Sequence, residues 1–342
     1  MTKTVFFGAV AAAAVLASTG AYAAEGDTLR TVKQRGELIC GVNPGLVGFA
    51  APDANGNWSG FDISLCRAIA AAVVGDPNKV RFVPTTGQTR FTALSSGEVD
   101  VLTRNSTWSF QRDTELALDF PAVNYYDGQG FLVRKDLGVT SAKELDGATV
   151  CIQTGTTTEL NLADYFRANN ITYQPVNIDS NAEGEQQYMA GACDAYTTDA
   201  SGLAATRAAF ADPDNHIILP EIISKEPLAP AVRHGDNNWG DIVRWTLFAL
   251  VAGEEYGVTS ANIEELSKSS TNPEVQRLLG QTDNLGGMIG LDAEWAKRAI
   301  MANGNYGEIF AATIGEQTPI GLARGLNALW TQGGLMYAPP FR

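Results

Sequence analysis

Residues 60–75 read GFDISLCRAIAAAVVG, and their periodicity sets the architecture around them. Phe61, Leu65, Ala68, Ile69, Ala72 and Val73 recur at helical spacing, and Gly75 stands where a helix stops. Upstream, ELICGV (37–42) reads as a buried strand. Downstream come the strand KVRFVP (79–84), a short helix near Thr89–Leu94, and the strand EVDVLT (98–103). Strands that alternate with helices predict βαβ units and a mainly parallel sheet.

The same order restarts in the middle of the chain. ATVCIQ (148–153), TYQPVN (172–177) and CDAYTTD (193–199) read as strands, separated by helices over 157–170 and 183–191 and followed by one over 200–211. Two α/β units of similar order predict two similar lobes. The segments YYDGQGFLVRKD (125–136) and ISKEPLAPAVRHGD (223–236) read as extended crossovers between them. A helical tail, from WGDIVRWTLFALVAGEE (239–255) to IGLARGLNALWTQGG (320–334), returns most simply to the first lobe.

The N-terminus has Lys3, an apolar Ala-rich run and AYA before Ala24, the layout of a cleaved secretory signal over residues 1–23. No cysteine stands at the cleavage point to take a lipid. Loss of Lys3 takes the formal charge from −14 to −15, a field that disfavours nucleic acid and anionic membrane surfaces. Four cysteines in an oxidising compartment suggest disulfides, and three connectivities are open to them. Cys40 and Cys66 lie early while Cys151 and Cys193 lie in the middle, so one bridge within each lobe is expected. No CxxC pair is present, and the only histidines, His216 and His234, are remote from any motif, so no metal or cofactor is expected.

Ligands of open parallel sheets gather at the carboxyl ends of the strands. Three such ends are informative. RNSTWSFQR (104–112) follows EVDVLT and carries two arginines, with Arg112 the fixed cation. QTGTTTE (153–159) follows ATVCI, and Thr156-x-x-Glu159 fits a capping box whose helix start favours an anion. Asp199 ends CDAYTTD and stands where an N-cap would stand. A cation, an anion and a helix N-terminus on two lobes are what a zwitterionic amino acid requires. Trp108 reads as core.

GFDISLCRAIA resembles the G-F-D-x-D-L-x-x-x-I-A signature of the polar amino-acid-binding proteins of ABC importers, with Ser64 replacing the second acid. GEVDVLTRNSTWSFQRDTELALDFPAVNYYDGQGFLV is similar to that family's G-x-x-D…T-x-x-R…F-x-x-P-Y segment, with Ser109 in the Thr position and Arg112 as its arginine. GATVCIQTGTTTE and GACDAYTTD match the second-lobe segments. Within the family the chain looks closest to the broad-range binders of glutamate, aspartate, glutamine and asparagine. The resemblance implies a two-lobed periplasmic-binding-protein fold (type II). First-lobe pieces are expected at 24–125 and 227–342, around a second lobe at 126–226.

Carried over by position, the resemblance implies that Arg112 grips the ligand carboxylate with a bidentate fork. Thr107 and the backbone N–H of Thr157 add donors, and Asp199 holds the ammonium with acceptors near Asn105. Asn43, Leu46, Arg104 and Thr158 select the side chain. Neither Asn43 nor Leu46 supplies the acid or the aromatic expected of a site for cationic ligands. The partners implied are a small L-amino acid and the permease subunits of an ABC transporter, reached in the periplasm. The competing expectations are a sensory module that signals to a receptor, and a periplasmic dehydratase on the same fold, which needs a general acid or base at the cleft.

Overall fold

The computed structural model describes residues 26–342, so the leader expected over 1–23 lies outside the described residues. The first unit is built on a three-stranded, wholly parallel sheet in the order Val80–Pro84, Leu38–Val42, Val101–Leu102. The helix Phe61–Val74 crosses between the first two strands as its apolar spacing predicted. Gly60 precedes it at φ +129°, and a Cβ there would lie 2.3 Å from the carbonyl oxygen of Phe49. Only glycine accepts both the dihedral and the close approach.

The second unit holds a five-stranded sheet in the order Tyr173–Ile178, Ala148–Gln153, Ala195–Asp199, Gln129–Arg134, His216–Ile218. Its first three strands are parallel, but Gln129–Arg134 runs antiparallel to both neighbours. This sheet is therefore mixed, because the crossover feeds straight into it as a strand with no intervening helix. The two crossovers pair with each other as an antiparallel ribbon, Tyr125–Asp127 against Glu226–Leu228.

The largest core belongs to the first unit and draws on residues from Leu29 to Phe341. The C-terminal helices close it: Trp295–Asn303 packs on Phe61–Val74, and Tyr306 and Phe310 join Phe61 and Tyr125 in an aromatic cluster. The second unit has its own cores around Phe131, Phe166 and Tyr196. Each unit carries one disulfide. Cys40–Cys66 ties the strand Leu38–Val42 to its crossover helix, and Cys151–Cys193 ties the strand Ala148–Gln153 to the turn that leads into Ala195–Asp199. The Cα separations of 6.2 and 5.6 Å suit such bridges.

Trp108 is not core. It is 41 % exposed and stacks on Phe120 with centroids 6.3 Å apart, because the turn after Val101–Leu102 carries it outward.

Candidate functional site

The carboxyl ends of the two sheets face each other, and polar side chains join across the seam. Asn43 Nδ2 donates to Asn181 Oδ1 (3.0 Å), Gln88 Nε2 to Thr154 Oγ1 (2.7 Å) and Asn105 Nδ2 to Asp199 Oδ2 (3.2 Å). The hydroxyls of Thr107 and Thr157 stand 3.3 Å apart. Between them lies a narrow, nearly closed cavity of about 10 Å³.

Six of the sequence-predicted residues line that cavity: Arg104, Asn105, Thr107, Thr157, Thr158 and Asp199. Three stand back from it. Arg112 donates from Nη1 to the carbonyl of Thr107 (2.9 Å), with its guanidinium carbon 4.9 Å from the centre of the Phe91 ring. Asn43 bridges Asn105 and Asn181 through its amide nitrogen, 3.0 Å to each. Leu46 is buried in the hydrophobic core of the first unit.

Sequence reasoning missed Arg90, which begins the short helix Arg90–Ser95 and lines the cavity at 3 % exposure. Its Nη1 reaches Ser106 Oγ at 3.2 Å and the carbonyl of Asn105 at 3.4 Å, while its Nε has no partner. Arg104 donates to the carbonyl of Thr86 (2.9 Å), and its Nε is likewise unpartnered. Burial and mutual repulsion lower the pKa of each guanidinium, Arg104 to about 10, and Arg112 falls to about 10 through burial. Burying positive charge is costly, and nearby carboxylates offset it in part: Asp62 for Arg104, Glu226 and Asp199 for Arg112, and Asp199 and Glu226 for Arg90.

The opposite charge comes from Asp199. Burial first, then the neighbouring Asp127 and Glu226 carboxylates, push its pKa well above the usual range. Asp199 occupies the N-cap position of Ala200–Ala209, yet its side chain makes no capping bond there. Its carboxylate accepts from Asn105 of the other unit instead. The box at Thr156 is half formed. Thr156 Oγ1 accepts from the N–H of Glu159 (3.2 Å), while Glu159 Oε2 reaches past Thr156 to the N–H of Gly155 (3.0 Å).

Glu226 is the second residue missed. It is buried beneath Thr107 and Thr157, both of which donate their hydroxyls to it. Its trace in the sequence is an acidic residue in the crossover, beside Lys225 and opposite Asp127.

Comparison with known proteins places this geometry in context. Residues 38–262 match the model of the bacterial extracellular solute-binding proteins, family 3. The chain is 69% identical, over its full length and that of the relative, to a glutamate/glutamine/aspartate/asparagine-binding protein of Rhodobacter capsulatus. It is 57% identical to a general L-amino acid-binding periplasmic protein of Rhizobium johnstonii, covering 99% of this chain and 100% of the relative. Among solved structures, an ABC transporter/periplasmic binding protein from Brucella ovis with glutathione bound superposes with a TM-score of 0.90 at 55% identity. That match covers 92% of this chain and 99% of the other.

Proposed function

The chain belongs to the bacterial extracellular solute-binding proteins of family 3, and from that premise we propose that it captures L-amino acids in the periplasm and delivers them to an ABC permease. Acidic and amide side chains are favoured. The observation that carries the reading is the pairing of buried guanidiniums with a buried aspartate across one cavity.

In this reading residues 24–125 and 227–342 form the first lobe and residues 126–226 the second. The ligand ammonium sits at Asp199, beside Asn105. Its α-carboxylate lies against the N–H groups that open the helix Thr157–Ala168, where the helix dipole favours negative charge, while Thr107, whose hydroxyl proton goes to Glu226, adds no donor there. Arg112 supplies positive charge from behind Thr107. The side chain extends toward Thr158 and toward Arg104 and Arg90, the two arginines whose unpartnered Nε groups suit a carboxylate or an amide oxygen. Contacts to both lobes make the ligand favour closure.

The protein acts as a binder and not as a catalyst. The relatives above are named as binding proteins, and both histidines stand away from the cavity. His216 bonds Tyr188 at 2.9 Å, and His234 faces Asp119 at 3.7 Å. A ligand that binds only the folded state raises the apparent melting temperature. A thermal-shift screen of the twenty L-amino acids is expected to show stabilisation by glutamate, aspartate, glutamine and asparagine. Absence of any shift, confirmed by calorimetry, rejects the reading, and turnover of a prephenate-like substrate favours the dehydratase.

A further inference from the structure

Glu226 is 1 % exposed and lies on the second crossover, opposite Asp127 in the ribbon that joins the units. An ionised carboxylate offers about four acceptor positions. Four side-chain donors fill them here. Oε1 accepts from Asn161 Nδ2 (2.7 Å) and Ser224 Oγ (2.6 Å), and Oε2 accepts from Thr157 Oγ1 (2.8 Å) and from the hydroxyl of Thr107. These donors come from three places. Thr107 follows the first sheet, Thr157 and Asn161 belong to the helix Thr157–Ala168 of the second unit, and Ser224 precedes the crossover strand.

Thr107 and Thr157 line the cavity, whereas Glu226 does not. The carboxylate therefore stands behind the wall. A threonine hydroxyl carries one proton, so both threonines spend theirs on Glu226 and turn lone pairs toward the cavity. Pairing of the crossover with the first unit holds Glu226 in place, since Trp108 N donates to the carbonyl of Pro227 (2.9 Å) and Ala229 N to that of Ser106 (3.0 Å). Gln129 of the second sheet holds the residues just before Glu226, donating from N to Ser224 Oγ (3.2 Å) and accepting from the N–H of Ile223 (2.9 Å), so Glu226 sits where the units meet and its carboxylate ties Thr107 of the first to Thr157 and Asn161 of the second.

We propose that Glu226 is a positioning residue that latches the two lobes: its carboxylate binds donors from both lobes at the hinge and holds the arrangement that assembles the cavity, without touching the ligand. The inference rests on the binding reading above. Its first readout is free of ligand, however, and so fails or holds independently of that reading. Hydrogen bonds to a charged group are strong enough that losing one across the seam lowers affinity about tenfold to a hundredfold. Because the latch acts on closure and not on recognition, every ligand loses by the same factor.

Small-angle scattering of the ligand-free protein is the first test. Glu226→Ala is expected to give a larger radius of gyration than the native protein, with compaction restored by saturating glutamate. Glu226→Gln keeps one carbonyl acceptor and is expected to fall between the two. Asn161→Ala, which removes one second-lobe donor and leaves the carboxylate, opens the protein less but in the same direction, and decides the matter should Glu226→Ala not fold. Native radii in the folded variants overturn the latch. Calorimetry with glutamate, glutamine, aspartate and asparagine is the second test. A common loss in Glu226→Ala supports the latch. An affinity that holds or rises, or losses differing more than about fivefold between ligands, where roughly 1.4 kcal/mol is tenfold, overturns it, since unequal losses make Glu226 a ligand contact. If no amino acid binds the native protein, the binding reading falls while the ligand-free radii still judge the latch.

Discussion

Asp199→Asn separates what the site costs the protein from what it gives the ligand. The side chain is buried, accepts one amide hydrogen from Asn105 at 3.2 Å, and lies close enough to Asp127 and Glu226 for their charges to raise its pKa. The replacement keeps the shape, and its amide oxygen still accepts from Asn105. It removes the charge that faces the ligand ammonium. Truncating one partner of a buried charge pair costs about 2–5 kcal/mol, so glutamate affinity is expected to fall by roughly thirtyfold to several thousandfold. Stability moves the other way. An acid whose folded pKa is raised holds its proton longer in the folded state, so its contribution is present at low pH and lost as pH rises through the folded pKa. The variant, with nothing to ionise, is therefore expected to melt above the native protein at pH 8 when neither has ligand, and to match it more closely near pH 4. Calorimetric titration and ligand-free thermal melts read the two effects separately. Native affinity in a folded variant, or a lower ligand-free melting temperature at pH 8, refutes the assignment of Asp199 as the buried charge of the site.

Three further outcomes follow from other residues. Asp62 is buried, and desolvation lifts its pKa from 3.8 to about 7 against the opposing pull of Arg104. Ionising it costs about 4 kcal/mol of stability, lost as pH rises from roughly 4 to 7, so Asp62→Asn is expected to flatten the melting profile across that window. Opening the Cys151–Cys193 bridge by a double Cys→Ala change releases a 42-residue separation. A loss of about 4 kcal/mol is expected, measured by denaturant unfolding. Arg104→Gln replaces a charge-assisted bond to an acidic side chain by a neutral one of about half the strength. Glutamate is expected to lose about tenfold more affinity than glutamine, and equal losses in competition calorimetry refute that placement of the side chain.

The α/β order of both units was readable from apolar periodicity, since ATVCIQ forms the strand Ala148–Gln153 over its whole length and GFDISLCRAIAAAVVG supplies the helix Phe61–Val74. EVDVLT shrank to Val101–Leu102 because the neighbouring strand pairs with only that part of it, at Cys40 and Gly41. The cysteine pairs were readable because each pair falls inside one unit. Arg90 and Glu226 were not. Arg90 reaches the cavity through contacts 15 and 16 residues away, and Glu226 meets Thr107 across 119. No local pattern encodes such separations. Trp108 was misjudged for the opposite reason, because an aromatic beside a strand suggests core while the turn decides which way it points.

The placement of the chain's last residues bears on how the molecule is made. Phe341 sits 5.1 Å from the ring of Trp245 and 6.4 Å from that of Trp295, inside the same core that begins with Leu29. The strands of the second sheet, by contrast, all lie between Gln129 and Ile218. Domains fold as units, earlier ones first as a chain emerges. Here an exported polypeptide arriving N-terminus first would finish its middle before its beginning, and about 100 residues of the opening unit would wait beside a folded neighbour until the residues around Phe341 arrived.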